Sequence, residues 1–290
     1  ATWSSRARFV DRISHLRHAG REYRITLMPE LPEVETLVRE LRAPCVGRRI
    51  EGVTLRWPRH IAAPSLREFK RDIRGQKITA LERRGKYFVF TLTSGALLIH
   101  LKMSGDLEVV KRGAPPAKHE HTIFHFDNGQ DLRFSDSRKF GRVYLVDDPD
   151  EITGRLGPEP LARSFTSQKL WALFTSRRRP LKTLLLDQTV IAGVGNIYAD
   201  ESLHRARLHP ERRSDTLTAT EARALWQSVR HILNAAIKHN GSSIDWVYRG
   251  GEHQNHFRVY DRAGEPCFNC GTPIRRMTLG GRGTHFCPHC

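Results

Sequence analysis

Two pairs of cysteines near the C-terminus constrain the fold of this chain more than any other feature. Two residues separate Cys267 from Cys270 and Cys287 from Cys290, and sixteen residues lie between the pairs. Four thiolates at this spacing can close a tetrahedral zinc site on a β-hairpin, with each pair forming one tight turn. A closed site of this kind stabilises structure and leaves no open position for catalysis. The spacing therefore predicts one structural Zn²⁺ ion, and it outweighs the alternative of two unrelated surface pairs.

The charge balance indicates a polyanionic partner. The 290 residues carry a formal net charge of +17, which favours nucleic acid, although a basic ribosomal-type protein would share this charge. The length suits two domains of ordinary size. No apolar run reaches transmembrane length, which excludes membrane insertion. The paired cysteines favour a reducing compartment, so we expect a cytoplasmic protein in which the fifth cysteine, Cys45, is a buried or inert thiol.

The first 27 residues differ in character from the rest of the chain. They hold six arginines against one aspartate and one glutamate, and so supply +4 of the net charge. They contain no apolar h-region, which excludes a secretory signal, and their acidic residues weaken the case for a transit peptide. We interpret residues 1–27 as an extension from a start site placed too far upstream. We expect this extension to lie outside the functional fold.

Residues 28–160 are predicted to form an antiparallel β-sandwich preceded by a helix. From Gly47 to about Val146, short alternating apolar runs are separated by turn signals such as Ser94-Gly95 and Asn128-Gly129. Short strands joined by tight turns are typical of a sandwich. Segments rich in proline and acidic residues, at 147–150 and 157–160, mark a linker. The clearest strands are Tyr87–Leu92, Ala96–Leu101, Thr122–Phe126, Leu132–Phe134 and Val143–Val146.

The remainder is predicted to be a helical domain over 161–250 and a zinc-ribbon hairpin over 251–290. The clearest helix is Ala219–His239, because Thr218 and Glu221 form a capping box and Asn240-Gly241 gives a stop. The shorter helical segments are Gln168–Thr175, Pro180–Leu186 and Asn196–Ala206. The fold class that we expect is therefore α+β.

Residues 28–36 read Met-Pro-Glu-Leu-Pro-Glu-Val-Glu-Thr and combine a helix start with an unusual chain end. Pro32 suits the first turn of a helix. If translation starts at Met28 and this methionine is removed, Pro29 carries a free secondary amine. Such an amine can attack an electrophilic carbon and form an iminium intermediate, and Glu30 beside it could move protons. The alternative is an ordinary proline-started helix with solvated glutamates. The apolar face of the helix would be Val34, Leu37, Val38 and Leu41.

The stretch 28–36 closely resembles the N-terminus of the formamidopyrimidine-DNA glycosylases, also called MutM. The resemblance implies that Pro29 is the nucleophile and Glu30 the general acid. It also implies that Lys86, in the Arg-Arg-Gly-Lys-Tyr segment 83–87, and Arg282, at the glycine-rich tip of the ribbon, assist catalysis. Without the resemblance, both would be interpreted as solvated charges. While residues 1–27 remain attached, the Pro29 nitrogen is a tertiary amide and cannot be a nucleophile.

Further segments resemble the DNA-binding parts of this family. Residues 193–198, Gly-Val-Gly-Asn-Ile-Tyr, are similar to its helix–two-turn–helix motif, in which a Gly-x-Gly turn presents N–H groups to an anion. Residues 100–105 and 136–141 resemble two loops that enter DNA and fill the space left by an extruded nucleotide. The resemblance implies that Met103, Arg138 and Phe140 fill this space, although outside this context Met103 and Phe140 would more often be core residues. The other DNA contacts that it implies are His119, Arg177, Lys182 and Asn196.

The resemblance covers residues 28–290, with its motifs in the required order. It implies a bifunctional DNA glycosylase and AP lyase that works through an N-terminal proline Schiff base and β,δ-elimination. The implied partner is double-stranded DNA that contains oxidised purines, such as 8-oxoguanine and formamidopyrimidines, or abasic sites. We expect a monomer of bacterial type that is associated with the nucleoid.

Departures from the family pattern leave alternatives open. Lys102 stands where the family usually has glycine, and Ser137 and Lys139 replace the more usual proline and arginine. The segment 242–257, with Asp245-Trp246-Val247-Tyr248, differs from the common lesion loop and puts lesion preference in doubt. One alternative is an endonuclease VIII-like enzyme for oxidised pyrimidines. However, Leu31 matches the N-terminal sequence of the enzymes that act on oxidised purines. The other is a zinc-ribbon DNA-binding protein without catalysis.

Overall fold

The computed structural model describes residues 28–243 and 250–290. The extension 1–27 and the segment Asp245-Trp246-Val247-Tyr248 lie outside the described residues, so the expectations for them stay predictions. Among the residues that are described, no helix combines the length and the apolar character needed to cross a bilayer.

Helix α1 (Leu31–Cys45) begins where the sequence predicted. Pro32 lies in its first turn, and the carboxylate of Glu33 accepts the backbone N–H of Glu30 at 2.9 Å, which satisfies a donor that the helix itself leaves free. The thiol of Cys45, at the end of this helix, is buried as expected. The predicted apolar face of Val34, Leu37, Val38 and Leu41 is buried.

Two sheets form the predicted β-sandwich. Its elements are β1 (Ile50–Leu55), β2 (Ile61–Ala63), α2 (Leu66–Ile73), β3 (Ile78–Arg84), β4 (Tyr87–Leu92), β5 (Ala96–His100), β6 (Gly105–Lys111), β7 (Glu120–Phe126), β8 (Gln130–Asp136) and β9 (Arg142–Val146). One sheet has the order β1-β7-β8-β6 and is antiparallel throughout. The other has the order β2-β9-β5-β4-β3, and its β2–β9 pair is parallel. The core of the sandwich includes the fully buried rings of Phe88, Phe124 and Phe134.

The ends of the strands show which residues the alternation of apolar and polar side chains fails to predict. Strand β8 is longer than the predicted Leu132–Phe134, because polar residues at both ends continue the backbone pairing with β6 and β7. Asp131 is buried near one end, with its carboxylate 2.8 Å from Nδ1 of His125. Alternation does not reveal strand residues that are buried through polar contacts. The two predicted turns are present, and Gly95 and Gly129 adopt φ values of +70° and +74° there.

The part of the chain after the sandwich is helical, as predicted. Its helices are α3 (Asp150–Thr153), α4 (Ser167–Thr175), α5 (Leu181–Leu186), α6 (Asn196–Ala206) and α7 (Ala219–Lys238). Helix α7 begins with the predicted capping box between Thr218 and Glu221. Leu31 of α1 is buried in the core of this helical part, whereas Val34 belongs to the core of the sandwich. Helix α1 therefore contributes to both cores. The domain boundaries, 28–160, 161–250 and 251–290, stay a prediction.

The C-terminal segment forms the predicted zinc-ribbon hairpin. Strands β10 (Arg275–Leu279) and β11 (Arg282–Phe286) pair antiparallel. Val259 and Ile274 pack against Cys267 and Cys287 in a small core of their own. Strand β11 lies against α6, and this contact brings the tip of the hairpin to the amino end of α1.

Candidate active site and nucleic-acid interface

A cavity of about 480 Å³ lies where the sandwich, the helical part and the zinc ribbon meet. The start of α1 contributes Met28 and Glu30, and the turn between β3 and β4 contributes Lys86. Asn196 lines the cavity at the start of α6, and Arg282 lines it at the tip of the ribbon. Residues that are far apart in the sequence therefore share one cavity, and their roles in catalysis stay predictions.

Glu30 is a buried carboxyl group that faces this cavity. Its side chain is 2% exposed, and its Oε1 accepts the backbone N–H of Ile197 at 3.0 Å. A Cβ atom on Gly195 would lie 2.2 Å from the Glu30 Cδ, so only glycine permits this close approach. Burial raises the pKa of Glu30 to about 7, although the nearby charge of Lys86 lowers it. A carboxyl group that keeps its proton near neutral pH is suited to act as a general acid.

Lys86 is the cationic partner of Glu30. Burial lowers the pKa of its ammonium group, and the charge of Glu30 opposes this shift. The turn that carries Lys86 is held by Glu159, whose carboxylate accepts the backbone N–H of Gly85 at 2.6 Å and a guanidinium N–H of Arg83 at 2.7 Å. Sequence analysis missed Glu159, which it had placed only in a linker.

Pro29 is buried at the start of α1, between Met28 and Glu30. Both of these neighbours have a defined place, because Met28 lines the cavity and the Glu30 N–H is held by Glu33. The backbone at Pro29 is thus fixed at the edge of the cavity. Its role as a nucleophile stays a prediction.

Arg282 lies exposed at the tip of the ribbon, and Lys182 holds the hairpin in place. The Lys182 ammonium group donates to the carbonyl of Gly283 and to Oγ1 of Thr284, both at 2.8 Å, and lies 2.6 Å from the Asp200 carboxylate. Lys182 has no exposed surface. The structure thus places this ammonium group in contacts within the protein, and the predicted contact of Lys182 with DNA stays a prediction. The acidic partner in α6 is distant in sequence, so the burial of this lysine could not be seen from its basic neighbours.

Asn196 and Arg177 are the other predicted phosphate contacts of the helical part. The Asn196 amide donates to the carbonyl of Gly283 at 3.0 Å, so it also anchors the ribbon. Arg177 is partly exposed, and its guanidinium donates to the carbonyl of Leu173 and to Oγ of Ser176. Contact of either residue with DNA stays a prediction.

The predicted space-filling residues lie on two loops, and the loop that carries Met103 lines the cavity. Met103 lines the cavity and is partly buried. The Phe140 side chain is 47% exposed, and the Arg138 guanidinium carbon lies 5.0 Å from the centroid of its ring. An exposed phenylalanine is not a core residue, and a loop site suits contact with a partner. His119 is also exposed, with a φ of +67°.

The four cysteines fit a tetrahedral zinc ion. Their Sγ atoms all lie within 4.8 Å of one another. The separation is 3.9 Å for Cys267–Cys290, 3.5 Å for Cys270–Cys287 and 3.4 Å for Cys270–Cys290. Zn–S bonds of about 2.3 Å in a tetrahedron place the sulfurs about 3.8 Å apart. His204 supports the site from α6, with its Nε2 3.6 Å from the Sγ of Cys267.

Glu33 is a functional candidate to which sequence analysis gave no role beyond that of a glutamate at the helix start. Its Oε1 accepts the Tyr198 hydroxyl and the backbone N–H of Ser242, the latter at 2.8 Å. Burial raises the pKa of Glu33, and the hydrogen bond from Tyr198 opposes the shift. The spacing from Glu30 was the available signal, because residues three apart lie on the same side of a helix.

The fold and site define a zinc-ribbon protein with a helix–two-turn–helix part, in which a buried carboxyl group at the start of a helix and a buried lysine from a β-turn line one cavity. The formamidopyrimidine-DNA glycosylase N-terminal domain matches residues 28–143, and the H2TH domain of the same enzymes matches residues 156–247. A zinc finger found in FPG and IleRS matches residues 264–290. The chain belongs to the formamidopyrimidine-DNA glycosylase family.

Individual relatives cover nearly the whole described chain. The formamidopyrimidine-DNA glycosylase of Pelotomaculum thermopropionicum is 45% identical over 272 residues, which are 91% of this chain and 99% of the relative. That of Streptococcus pneumoniae is 43% identical over 271 residues, 91% of this chain and 98% of the relative. A structure of MutM in complex with DNA containing carbocyclic 8-oxo-G aligns with a TM-score of 0.84 at 37% identity, covering 90% of this chain and 99% of that one. The Lactococcus lactis Fpg bound to DNA with an abasic site aligns with a TM-score of 0.84 at 36% identity, covering 90% and 98%.

Proposed function

We propose that this protein is a bifunctional DNA glycosylase that removes oxidised purines from double-stranded DNA and then cleaves the strand at the abasic site. The observation that carries the proposal is the buried carboxyl group of Glu30, with a pKa of about 7, beside Lys86 in a cleft that Arg282 also lines. Relatives solved with 8-oxo-G and Fapy-dG DNA supply the substrate class.

The first stage of the reaction requires Pro29 to carry a free amine. The nitrogen lone pair attacks C1′ of the extruded nucleotide, the bond between C1′ and the base breaks, and the base takes up a proton as it leaves. Glu30 gives its proton to O4′ as the sugar ring opens, so that C1′ and the proline nitrogen form an iminium ion. A carboxyl group that is protonated near neutral pH supports this step.

The second stage cuts the strand. The iminium ion acidifies the C2′–H bond, and loss of this proton expels the 3′-phosphate. A second elimination expels the 5′-phosphate. Lys86 and Arg282 assist by contact with phosphate and by proton transfer, because fixed cations aimed at developing negative charge lower the barrier.

The zinc ribbon holds Arg282 at the cleft, and Zn²⁺ bound by the four cysteines supplies structural rigidity there. Thiolate ligands persist in a reducing compartment. We therefore place the protein, as a monomer, in a cytoplasm of bacterial type and on the nucleoid.

Borohydride trapping tests the proposal. Protein beginning at Pro29 should form a covalent adduct with a duplex that contains 8-oxoguanine, because borohydride reduces the iminium to a stable amine. The matched control retains Met28, which makes the Pro29 nitrogen an amide, and should form no adduct. Trapping by that control would assign the nucleophile to another amine.

Two further outcomes separate the alternatives. A protein that begins at Pro29 and binds duplex DNA but is never trapped would be a zinc-ribbon DNA-binding protein without catalysis. Faster trapping on a duplex with an oxidised pyrimidine than on 8-oxoguanine would indicate an endonuclease VIII-like enzyme instead.

A further inference from the structure

Asp136, the last residue of β8, is completely buried between the two loops that carry the space-filling residues. One loop comes after β5 and contains Met103, and the other runs from β8 to β9 and contains Arg138 and Phe140. The proposed mechanism does not use Asp136. Its carboxylate nevertheless accepts hydrogen bonds from residues of both loops.

The first oxygen of the carboxylate, Oδ1, binds the Met103 loop. The hydroxyl of Ser104, next to Met103, donates to this oxygen. The backbone N–H of Arg138 donates to the same Oδ1 at 3.2 Å and to the Ser104 Oγ at 3.0 Å. One oxygen atom thus connects a residue beside Met103 to the backbone of Arg138.

The second oxygen, Oδ2, binds the other end of the Phe140 loop. It accepts the backbone N–H of Gly141, the residue after Phe140, at 2.7 Å, and it lies 3.6 Å from Nε2 of the buried His60. A Cβ atom on Gly141 would lie 2.3 Å from Cζ of Phe134, so the backbone here is pressed against the core. The Phe140 loop is therefore fixed at both its start and its end by one side chain.

The backbone of Asp136 adds a third connection. Its N–H donates to the carbonyl of His119 at 3.0 Å, and His119 is the predicted DNA contact of a different loop. The hydrogen bonds to Asp136 lower its pKa to about 2, although burial acts in the opposite direction. The group is therefore a carboxylate at any physiological pH, and both its oxygens act as acceptors. An asparagine would keep one of these acceptors and replace the other with a donor.

We propose that Asp136 is a positioning residue that holds the Met103 loop and the Arg138–Phe140 loop as one rigid unit, so that both enter the duplex together when a base is extruded. This inference rests on the proposed glycosylase function. Its physical basis is that a catalytic or wedging group must be fixed by its supporting contacts to act on a stacked base. Because Asp136 has no exposed surface, it acts through these loops and not by contact with DNA.

The test compares Asp136→Asn with Asp131→Asn, in protein that begins at Pro29. Both aspartates are buried in β8, but Asp131 lies near the opposite end of the strand and pairs with Arg112. The measured quantities are the single-turnover rates of excision of 8-oxoguanine and of cleavage at a preformed abasic site. A displaced wedge should slow excision by about ten- to a hundredfold. Cleavage of the abasic site, which has no base to extrude, should slow by less than about threefold. Asp131→Asn should leave the ratio of the two rates unchanged.

A double-substitution cycle with Phe140→Ala shows whether Asp136 acts through the wedge. If it does, Asp136→Asn should cost much less in excision rate when Phe140 is already absent. Rate losses that multiply, or equal losses on both substrates, would overturn the proposal. If Asp136→Asn fails to fold, Ser104→Ala takes its place. This change keeps the carboxylate and removes the hydroxyl that donates to Asp136 and accepts the N–H of Arg138. It should give a loss of the same kind, and an unchanged excision rate would again overturn the proposal. A wild-type protein without excision activity would instead refute the proposed function.

Discussion

The hydroxyl of Tyr198 in α6 donates a hydrogen bond to the buried carboxylate of Glu33 in α1. The other oxygen of this carboxylate accepts the N–H of Glu30 at 2.9 Å. A side chain of the helical part therefore fixes the backbone of Glu30, the proposed general acid, through one intermediate residue.

Removing this hydroxyl should lower both stability and activity. Tyr198→Phe leaves a buried carboxylate without one donor, so the free energy of unfolding should fall by about 1–3 kcal/mol. Excision should slow because the position of Glu30 is less well defined. The check is chemical denaturation together with single-turnover kinetics. Tyr144→Phe, in the sandwich, serves as control and should leave the excision rate unchanged, and a wild-type rate in Tyr198→Phe would contradict the coupling.

The pH dependence of base excision should report on Glu30. Burial raises the pKa of this group from 4.5 to about 7, and a general acid acts in its protonated form. Excision at saturating DNA should therefore fall as the pH rises above 7, by up to about tenfold per pH unit. Glu30→Gln should abolish this dependence on pH along with most of the activity. Glu82→Gln, a change at an exposed residue, should retain the fall in excision rate above pH 7. If this fall also persists in Glu30→Gln, another group causes it.

The same shift predicts how stability varies with pH. Between pH 4.5 and about 7 the folded protein keeps a proton on Glu30 that the unfolded chain releases. This contribution to stability is complete below pH 4.5 and is lost as the pH rises through 7. The difference in unfolding free energy between wild type and Glu30→Gln, measured by denaturation at several pH values, should change across this window. A constant difference would mean that the carboxyl group is not shifted.

Breaking the pair of Lys182 and Asp200 should destabilise the ribbon. Lys182→Met leaves the Asp200 carboxylate buried without its cation, at a cost of about 3–5 kcal/mol. Lys182→Met combined with Asp200→Leu should recover part of this loss. Thermal unfolding measures both, and the exposed Arg178→Met is the control. A neutral Lys182→Met would show that the ammonium group faces water.

Arg177 should contribute affinity without choosing the lesion, because phosphate contacts carry no base information. Arg177→Ala should weaken binding to damaged and undamaged duplex alike. The slope of log affinity against log salt should flatten by about one unit. Lys70→Ala, on α2 and away from the cavity, should leave the slope unchanged. A loss confined to one lesion would place Arg177 in the base pocket.

Loss of the metal should uncouple the ribbon from the rest of the fold. Cys287→Ser should bind less zinc and less DNA, while the β-sandwich keeps its unfolding transition, because metal binding stabilises the ribbon locally. Metal content measured by mass spectrometry and affinity measured by titration give the two readouts. Full zinc content with unchanged affinity would argue against a site of four cysteines.

The sequence predicted the elements that depend on local pattern. The start of α1, the capping box of α7 and the cysteine spacing all follow from short-range chemistry, and the structure confirms them. The polar interior was not predictable in the same way. Lys182 became buried through a partner in another helix, and Glu159 acts on a turn that lies far from it in the chain. Such contacts exist only after the chain has folded, so no periodicity encodes them.

The two cores that share α1 have a consequence for what a damaged or incomplete copy of this protein can do. Leu31 is buried in the helical core, and the sandwich core buries Val34 one turn later. The amino end of α1 therefore takes its defined position only when the sandwich and the helical part have packed together. A sandwich released by proteolysis, or a nascent chain that has not yet emerged completely, would carry Pro29 and Glu30 but hold them in no defined pocket. Such fragments should be inert towards intact chromosomes, so the architecture confines the proposed reaction of the Pro29 amine to the finished molecule.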